Sequence, residues 1–142
     1  MKYLLFLDFD GVTHPRIGSA AFLPSCMYAL RLALDDINIE IVVSSTWRKT
    51  NHLYELEAFL RPLGKPFIGI TPVVNEPNAP KYVRYREITQ FLSDSKLQSC
   101  DWVAVDDAPG LFPDNAPIFF TNPLTGFTAN DVPKLRKMII GQ

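Results

Sequence analysis

Apolar residues in this chain fall into short unbroken runs separated by segments with helical periodicity. Lys2–Phe9 is an almost continuous apolar run rich in Leu and Phe, closed by Asp8-Phe9-Asp10-Gly11. A run without alternation reads as a strand covered on both faces. Ile39–Val43 is a second such run, β-branched except at Glu40, ending in Ser44-Ser45-Thr46. Phe67–Ile70, Asp101–Val105 and Ile118–Thr121 predict three more strands. Between them lie helical stripes. Ser25–Ile37 carries Ala29, Leu30, Ala33, Leu34 and Ile37 on one side. A helix capped by Asn51 turns Leu53, Leu56 and Leu60 inward and ends at Pro62 and Gly64. Tyr82–Leu92 aligns Tyr85, Ile88 and Leu92, and a last helix, capped by Thr128 or Asn130, aligns Val132, Leu135, Met138 and Ile139. Proline-bearing stretches at Val12–Pro24 and Thr71–Pro80 read as loops.

Buried strands alternating with helices predict an α/β fold: a Rossmann-like, mostly parallel sheet of about five strands with helices on both faces. With no linker or repeat, 1–142 reads as a single domain. In such sheets the site lies beyond the carboxyl ends of the strands. Here those ends carry Asp8/Asp10, Ser44/Ser45, Asp106/Asp107 and Thr121/Asn122. Polar residues gathered at the ends of otherwise apolar strands are the main functional signal.

Composition narrows the class further. The 142 residues are 47% hydrophobic and 20% charged, which excludes a disordered chain. A net charge of −1 gives no global field for gathering nucleic acid or anionic membrane, though a local site stays open. No apolar run approaches the ~18–20 residues of a membrane span. The apolar N-terminus stops at Asp8, too soon for a signal peptide. Two cysteines, Cys26 and Cys100, make no disulfide framework, so a cytoplasmic, reduced protein is expected.

If the first and fourth strands are neighbours, three or four of Asp8, Asp10, Asp106 and Asp107 converge. Uncompensated, they would repel and take up protons. A divalent cation relieves this, and an all-oxygen donor set favours Mg²⁺. Two other readings of Asp8-x-Asp10 fare worse. An EF-hand loop needs an oxygen ligand at position 12 and an acid at 19, where Val12 and Ser19 stand. The Asp-x-Asp of sugar-nucleotide transferases leaves the other strand ends unexplained. A non-catalytic reading takes Trp47, Arg48, Lys49 and His52, with Tyr82, Arg84, Tyr85 and Arg86, as a basic-aromatic surface for a phosphorylated or single-stranded ligand. Against it, Trp47 and the tyrosines can equally pack the sheet edge. His14 lies in a loop that should border the site's mouth, where it could touch a substrate, but a lone loop histidine is more often at the surface, and that is the expectation for it.

Leu5-Phe6-Leu7-Asp8-Phe9-Asp10-Gly11-Val12 resembles the first motif of the haloacid dehalogenase (HAD) superfamily. Ile41-Val42-Val43-Ser44 resembles its second motif, and Val103-Ala104-Val105-Asp106-Asp107 its fourth. For the third, a lone basic residue, Arg84 before Glu87-Ile88 is the first choice, with Lys81 and Arg86 as alternatives. Ser44-Ser45-Thr46-Trp47-Arg48 and Thr121 to Gly126-Phe127-Thr128 resemble a small subgroup labelled the HAD domain of "Swiss Army knife" RNA repair proteins.

The resemblance implies a Mg²⁺-dependent phosphatase. Asp8 would attack phosphorus, and Asp10 would protonate the leaving oxygen and then activate water. Ser44 and Arg84 would hold the phosphoryl oxygens, with Ser45, Arg48 and Gly11 as substrate contacts. Metal ligands would be Asp8, Asp10 through its backbone carbonyl, Asp106, and Asp107 behind it or through water. Capped relatives insert a domain after the first motif or between the second and third. The 34 residues from Asp10 to Ser44 and the 40 from Ser44 to Arg84 leave no room for one. An open site, with Arg48 and Arg84 at or near its rim, suits a large phosphorylated partner such as a nucleic-acid end or a phosphoprotein. A nucleotide or sugar phosphate remains an alternative substrate.

Overall fold

The computed structural model describes residues 2–18, 20–75 and 81–141. Five parallel strands form one sheet: β1 (Tyr3–Leu7), β2 (Ile39–Val43), β3 (Phe67–Ile70), β4 (Asp101–Asp106) and β5 (Ile118–Phe120), in the order β3-β2-β1-β4-β5. Three helices connect strands, α1 (Pro24–Leu34), α2 (Leu53–Leu60) and α3 (Val83–Asp94), and α4 (Val132–Ile140) follows β5. The predicted α/β architecture is therefore present. No helix among the described residues is long and apolar enough to cross a membrane, and none of these residues forms a cap domain over the strand ends.

The first apolar run becomes the central strand because both its faces need cover. Leu4, Leu5, Phe6 and Leu7 are fully buried. Leu5 and Leu7 join Leu30, Leu34, Leu56, Leu60 and Leu135 in a core that covers one face with α1, α2 and α4. Leu4 and Phe6 point the other way, toward Ile88 and Leu92 of α3 and Phe112. This strict alternation is the two-residue period of a strand. Leu7 is level with Val43 and with Val105. The pairing runs one residue further, since the Asp8 N–H donates to the Val105 carbonyl at 3.1 Å and the Ser44 N–H to the Leu7 carbonyl at 3.1 Å. Asp8, Ser44 and Asp106 are thus set abreast by backbone register alone.

Several local expectations shift. The residue capping α2 is His52, whose N–H donates to Glu55 Oε1 at 2.8 Å, while the Asn51 amide donates to the Trp47 carbonyl. Leu53 and Met138, read as inward, are exposed, because these short helices each bury only one narrow stripe. Thr128 does cap the C-terminal segment, its N–H donating to Asp131 Oδ2 at 2.9 Å. The expected loop Thr71–Pro80 is described only to residue 75; the rest lies outside the described residues.

Phe6 meets Phe91 and Trp102 edge-on at centroid distances of 5.7 and 5.5 Å, and anchors the smaller core. Phe6→Ala should therefore cost about 3–5 kcal/mol in denaturant unfolding. Leu53→Ala, at an exposed site, should stay within about 0.5 kcal/mol. Equal costs for the two would contradict this division of the apolar residues.

Candidate active site

Asp8 follows the central strand and is nearly buried. On one side stands Asp106, the last residue of β4. Between them lies Arg84, from the first turn of α3: its Nη1 is 3.1 Å from Asp8 Oδ1 and 2.7 Å from Asp106 Oδ2. Asp106 is fixed further by its other oxygen, Oδ1, which accepts from the N–H groups of Asp107 at 2.7 Å and Ala108 at 3.0 Å. Among the three basic residues weighed for this position, Arg84 is the one brought to the carboxylates. The Lys81 ammonium lies over the Tyr82 ring instead, 5.2 Å from its centroid.

Asp107 completes a triad. Oxygens of Asp8, Asp106 and Asp107 lie within 4.8 Å of one another. Asp107 is gripped by Arg16, whose Nε and Nη2 donate to its two oxygens at 2.7 and 2.8 Å. Gly11 makes room for it: a Cβ there would fall 2.0 Å from Asp107 Oδ2, and the backbone has φ +78°. The Gly11 carbonyl accepts from Thr121 Oγ1 at 2.6 Å, which ties the loop after β1 to the end of β5.

The Asp10 carboxylate does not join this triad. It turns toward Trp47 and His14, accepting from Trp47 Nε1 at 3.2 and 3.3 Å and lying 2.9 Å from His14 Nε2. The expectation of a surface histidine is corrected: His14 is buried, packed between Phe22 and Trp47. Phe9, Phe22, Trp47 and Phe59 form an aromatic box beside it. Two carboxylates two residues apart thus occupy different surroundings, one among charges and one against aromatic N–H donors.

Arg48 is also not where it was expected. It is buried at 6% exposure rather than standing on a rim. Its guanidinium donates to the carbonyls of Thr71, Ser44, Ser45 and Pro72 and pairs with Glu87 at 2.9 Å. A basic residue just after a strand has orphan carbonyls within reach, and Arg48 satisfies those of β2 and β3. Arg84, likewise, is buried at the base of the cluster. The half-exposed cation at the mouth is Arg16. Ser45 Oγ accepts from the Trp47 N–H at 3.2 Å and so caps the turn that carries Trp47. Ser44 Oγ, Thr71 Oγ1 and Arg84 Nε are buried with no hydrogen-bond partner among the described residues. Sequence reasoning gave no role to Arg16 or Thr71, and it quoted Glu87 only as part of the motif around Arg84, one turn further on, where side chains share a helix face.

The electrostatics favour a cation. Among the described residues, two guanidinium groups, Arg84 and Arg16, pair with the carboxylates of Asp8, Asp106 and Asp107. Burial first, and then repulsion from Asp106, push the Asp8 carboxyl up to about 7 against the pull of Arg84. Burial also raises Asp106, again against Arg84. Arg84 itself is held charged by Asp106 and Asp8 despite the opposing effect of burial. Carboxyls driven toward protonation by burial and then by neighbouring acids, in a cluster whose donors are oxygens, fit a hard divalent ion such as Mg²⁺.

These shifts fix the pH behaviour of the protein stripped of divalent ions. The folded state keeps the Asp8 proton to about pH 7, whereas an unfolded chain releases it near pH 4. Between those values the folded state binds more protons, so its stability falls as pH rises. Asp8→Asn removes the charge without the volume. In chelator at pH 8 the variant should melt above wild type, and the gain should vanish toward pH 4. A variant no more stable at pH 8 would contradict the dominance of burial and repulsion at this position.

Comparison with known proteins adds one match. The family described as "HAD domain in Swiss Army Knife RNA repair proteins" matches residues 4–132. No curated protein and no solved structure gives a significant match. The matched span runs from β1 into the start of α4 and includes the strand ends, Arg84 and the acidic triad described above. This chain belongs to the family of HAD domains found in Swiss Army Knife RNA repair proteins.

Proposed function

We propose that the chain, read as one HAD domain over 1–142, is a Mg²⁺-dependent phosphomonoesterase that forms an aspartyl-phosphate on Asp8. The observation that carries this reading is Arg84 Nη1 shared between Asp8 and Asp106. A nucleophilic carboxylate needs a cation beside it before an anionic phosphate can approach. Asp8 and Asp106, with Asp107 and the Asp10 carbonyl, are the groups that would hold Mg²⁺. When bound, the ion would neutralise charge between the carboxylates and the phosphoryl oxygens.

The protein's own groups divide the remaining work. The Asp8 carboxylate attacks phosphorus as the bond to the leaving oxygen breaks, and Asp10 gives that oxygen its proton. Asp10, now a carboxylate, takes a proton from water. That water attacks the phosphorus of the acyl phosphate, freeing Asp8 and inorganic phosphate and restoring the Asp10 proton. Ser44 Oγ, Thr71 Oγ1 and Arg84 Nε are donors without partners among the described residues, suited to oxygens that gain charge in the transition state.

The substrate we favour is a phosphorylated nucleic-acid end. The family description names RNA repair. The described residues place no cap over the strand ends, and Arg16 offers a half-exposed guanidinium at the mouth.

Asp8→Asn should reduce turnover by several orders of magnitude with the fold intact by circular dichroism, and excess chelator should stop the wild type until Mg²⁺ is restored. Near-normal activity in either case would sink the mechanism. The substrate class is tested separately. A 5′-phosphorylated oligonucleotide should exceed an aryl phosphate in kcat/KM at low salt, and the advantage should shrink as salt rises. Arg16→Ala should shrink the same ratio, since damage to Asp107 common to both substrates cancels. A mononucleotide or sugar phosphate turned over equally well, without salt dependence, would replace the polymer reading and leave the phosphatase reading standing.

A further inference from the structure

We infer that His14, as the neutral tautomer protonated on Nε2, and Trp47 together position Asp10 for proton transfer to the leaving oxygen; this rests on the phosphatase reading above. The tautomer follows from donors that have no choice. The Phe22 N–H points at His14 Nδ1 at 3.1 Å, and an amide N–H can only donate, so Nδ1 is an acceptor. The Thr13 hydroxyl, 2.9 Å from Nδ1, can donate there as well, in place of its bond to the Phe9 carbonyl at 3.1 Å, so it is compatible with this tautomer while the Phe22 amide decides it. The ring proton of a neutral imidazole is then on Nε2, and it donates to Asp10 Oδ1 at 2.9 Å.

Phe22 adds an independent sign. It holds a left-handed backbone, φ +55°, which a phenylalanine rarely adopts. Strained backbone of this kind tends to mark functional sites. Here the strained residue aims its amide at His14 while its ring stacks on Phe59 at 4.7 Å. Trp47 Nε1 supplies the second donor, reaching both Asp10 oxygens. Oδ1 therefore has two partners and Oδ2 one long contact, so Oδ2 is the oxygen left for the substrate. The Asp10 side chain is 36% exposed while that of His14 is 5% exposed, which puts the carboxylate between the buried ring and the open mouth. His14 and Trp47 act through Asp10 and are positioning residues.

The test is leaving-group dependence, which a purely structural role would not alter. A nitrophenolate leaves as a stable anion with little need of a proton; an alkoxide does not. His14→Phe keeps a ring in the box but removes the donor. It should lower kcat/KM, which reports the steps up to release of the leaving group, roughly 10- to 100-fold on a 5′-phosphorylated oligonucleotide, the scale of a misplaced general acid. On nitrophenyl phosphate kcat/KM should be nearly unaffected, since the later attack of water, which Asp10 assists for both substrates, does not enter it. His14→Gln, which returns an N–H near the Nε2 position, should recover most of the loss. Trp47→Phe should shift the ratio in the same direction and carries the test if His14→Phe fails to fold by thermal melting. Equal losses on both substrates, or none on the oligonucleotide, would overturn the assignment. Nitrogen-15 NMR of the histidine rings at neutral pH should show His14 protonated on Nε2 alone; an imidazolium or an Nδ1–H tautomer would overturn it without reference to activity. If the wild type hydrolyses neither substrate, the phosphatase reading falls and the positioning role falls with it, while the tautomer is still decided by NMR.

Discussion

A single guanidinium nitrogen, Arg84 Nη1, stands between two buried carboxylates at the carboxyl edge of the sheet. Without it Asp8 and Asp106 would face each other across neighbouring strands with little but repulsion between them. Its placement depends on a second buried pair. Glu87 follows Arg84 by one turn on α3 and binds Arg48, whose remaining donors fasten carbonyls at the ends of β2 and β3. The Glu87 carboxylate also accepts from the Val74 N–H at 3.0 Å. The start of α3 is thereby locked to the sheet edge by charge-assisted bonds on a helix whose apolar stripe, Ile88 and Leu92, lies further along. Breaking a buried pair of this kind is costly because it leaves one charge uncompensated. Arg48 thus influences the site by holding the scaffold of Arg84.

The loop after β1 serves the other two carboxylates. Gly11 gives Asp107 space, Arg16 grips it, and His14 turns to Asp10. Within about six residues the chain separates neighbouring acids into unlike environments, and unlike environments let carboxylates take unlike roles. The loop itself is fastened at several points: Thr121 to the Gly11 carbonyl, the Phe127 N–H to the Val12 carbonyl, and the Leu23 N–H to the Thr13 carbonyl. The φ of +72° at Gly126, where a Cβ would sit 2.9 Å from the Val12 carbonyl oxygen, shows how closely the turn after β5 presses on it.

The sheet and its functional edge were legible because burial on both faces leaves a plain mark, an apolar run with polar residues at its end. Ile39–Val43 and Phe67–Ile70 matched to the residue. Register then brought Asp8, Ser44 and Asp106 level with no information beyond strand order. Single polar side chains were less legible, because sequence does not say which way a long side chain turns. Arg48 looked like a rim cation and is buried under carbonyls; Arg16, given no role in the predicted loop Val12–Pro24, stands at the mouth. His14 lacked any periodic context, and its burial depends on Phe22, Trp47 and Phe59, which come from three separate segments. Leu53 and Met138 show the converse limit, since a helical stripe two turns long is too short to define which edge residues stay wet.

The partnerless atoms give the edge its last physical character. A buried donor without a partner costs about 1–3 kcal/mol, more when charged, and the described residues hold three in one neighbourhood: Ser44 Oγ, Thr71 Oγ1 and Arg84 Nε. Ser44 and Thr71 are both about 1% exposed, a setting in which apolar residues are usual. Ala at Ser44 or Val at Thr71 would remove an unsatisfied hydroxyl with little change in size. The fold instead retains polarity where it is locally unfavourable, beside carboxyls that raise one another's proton affinity. Under the function proposed above, both penalties would have one remedy: an anion with several acceptor oxygens arriving together with a divalent cation. Stability surrendered at the strand ends would then be what directs that pair of ligands there rather than elsewhere on the sheet.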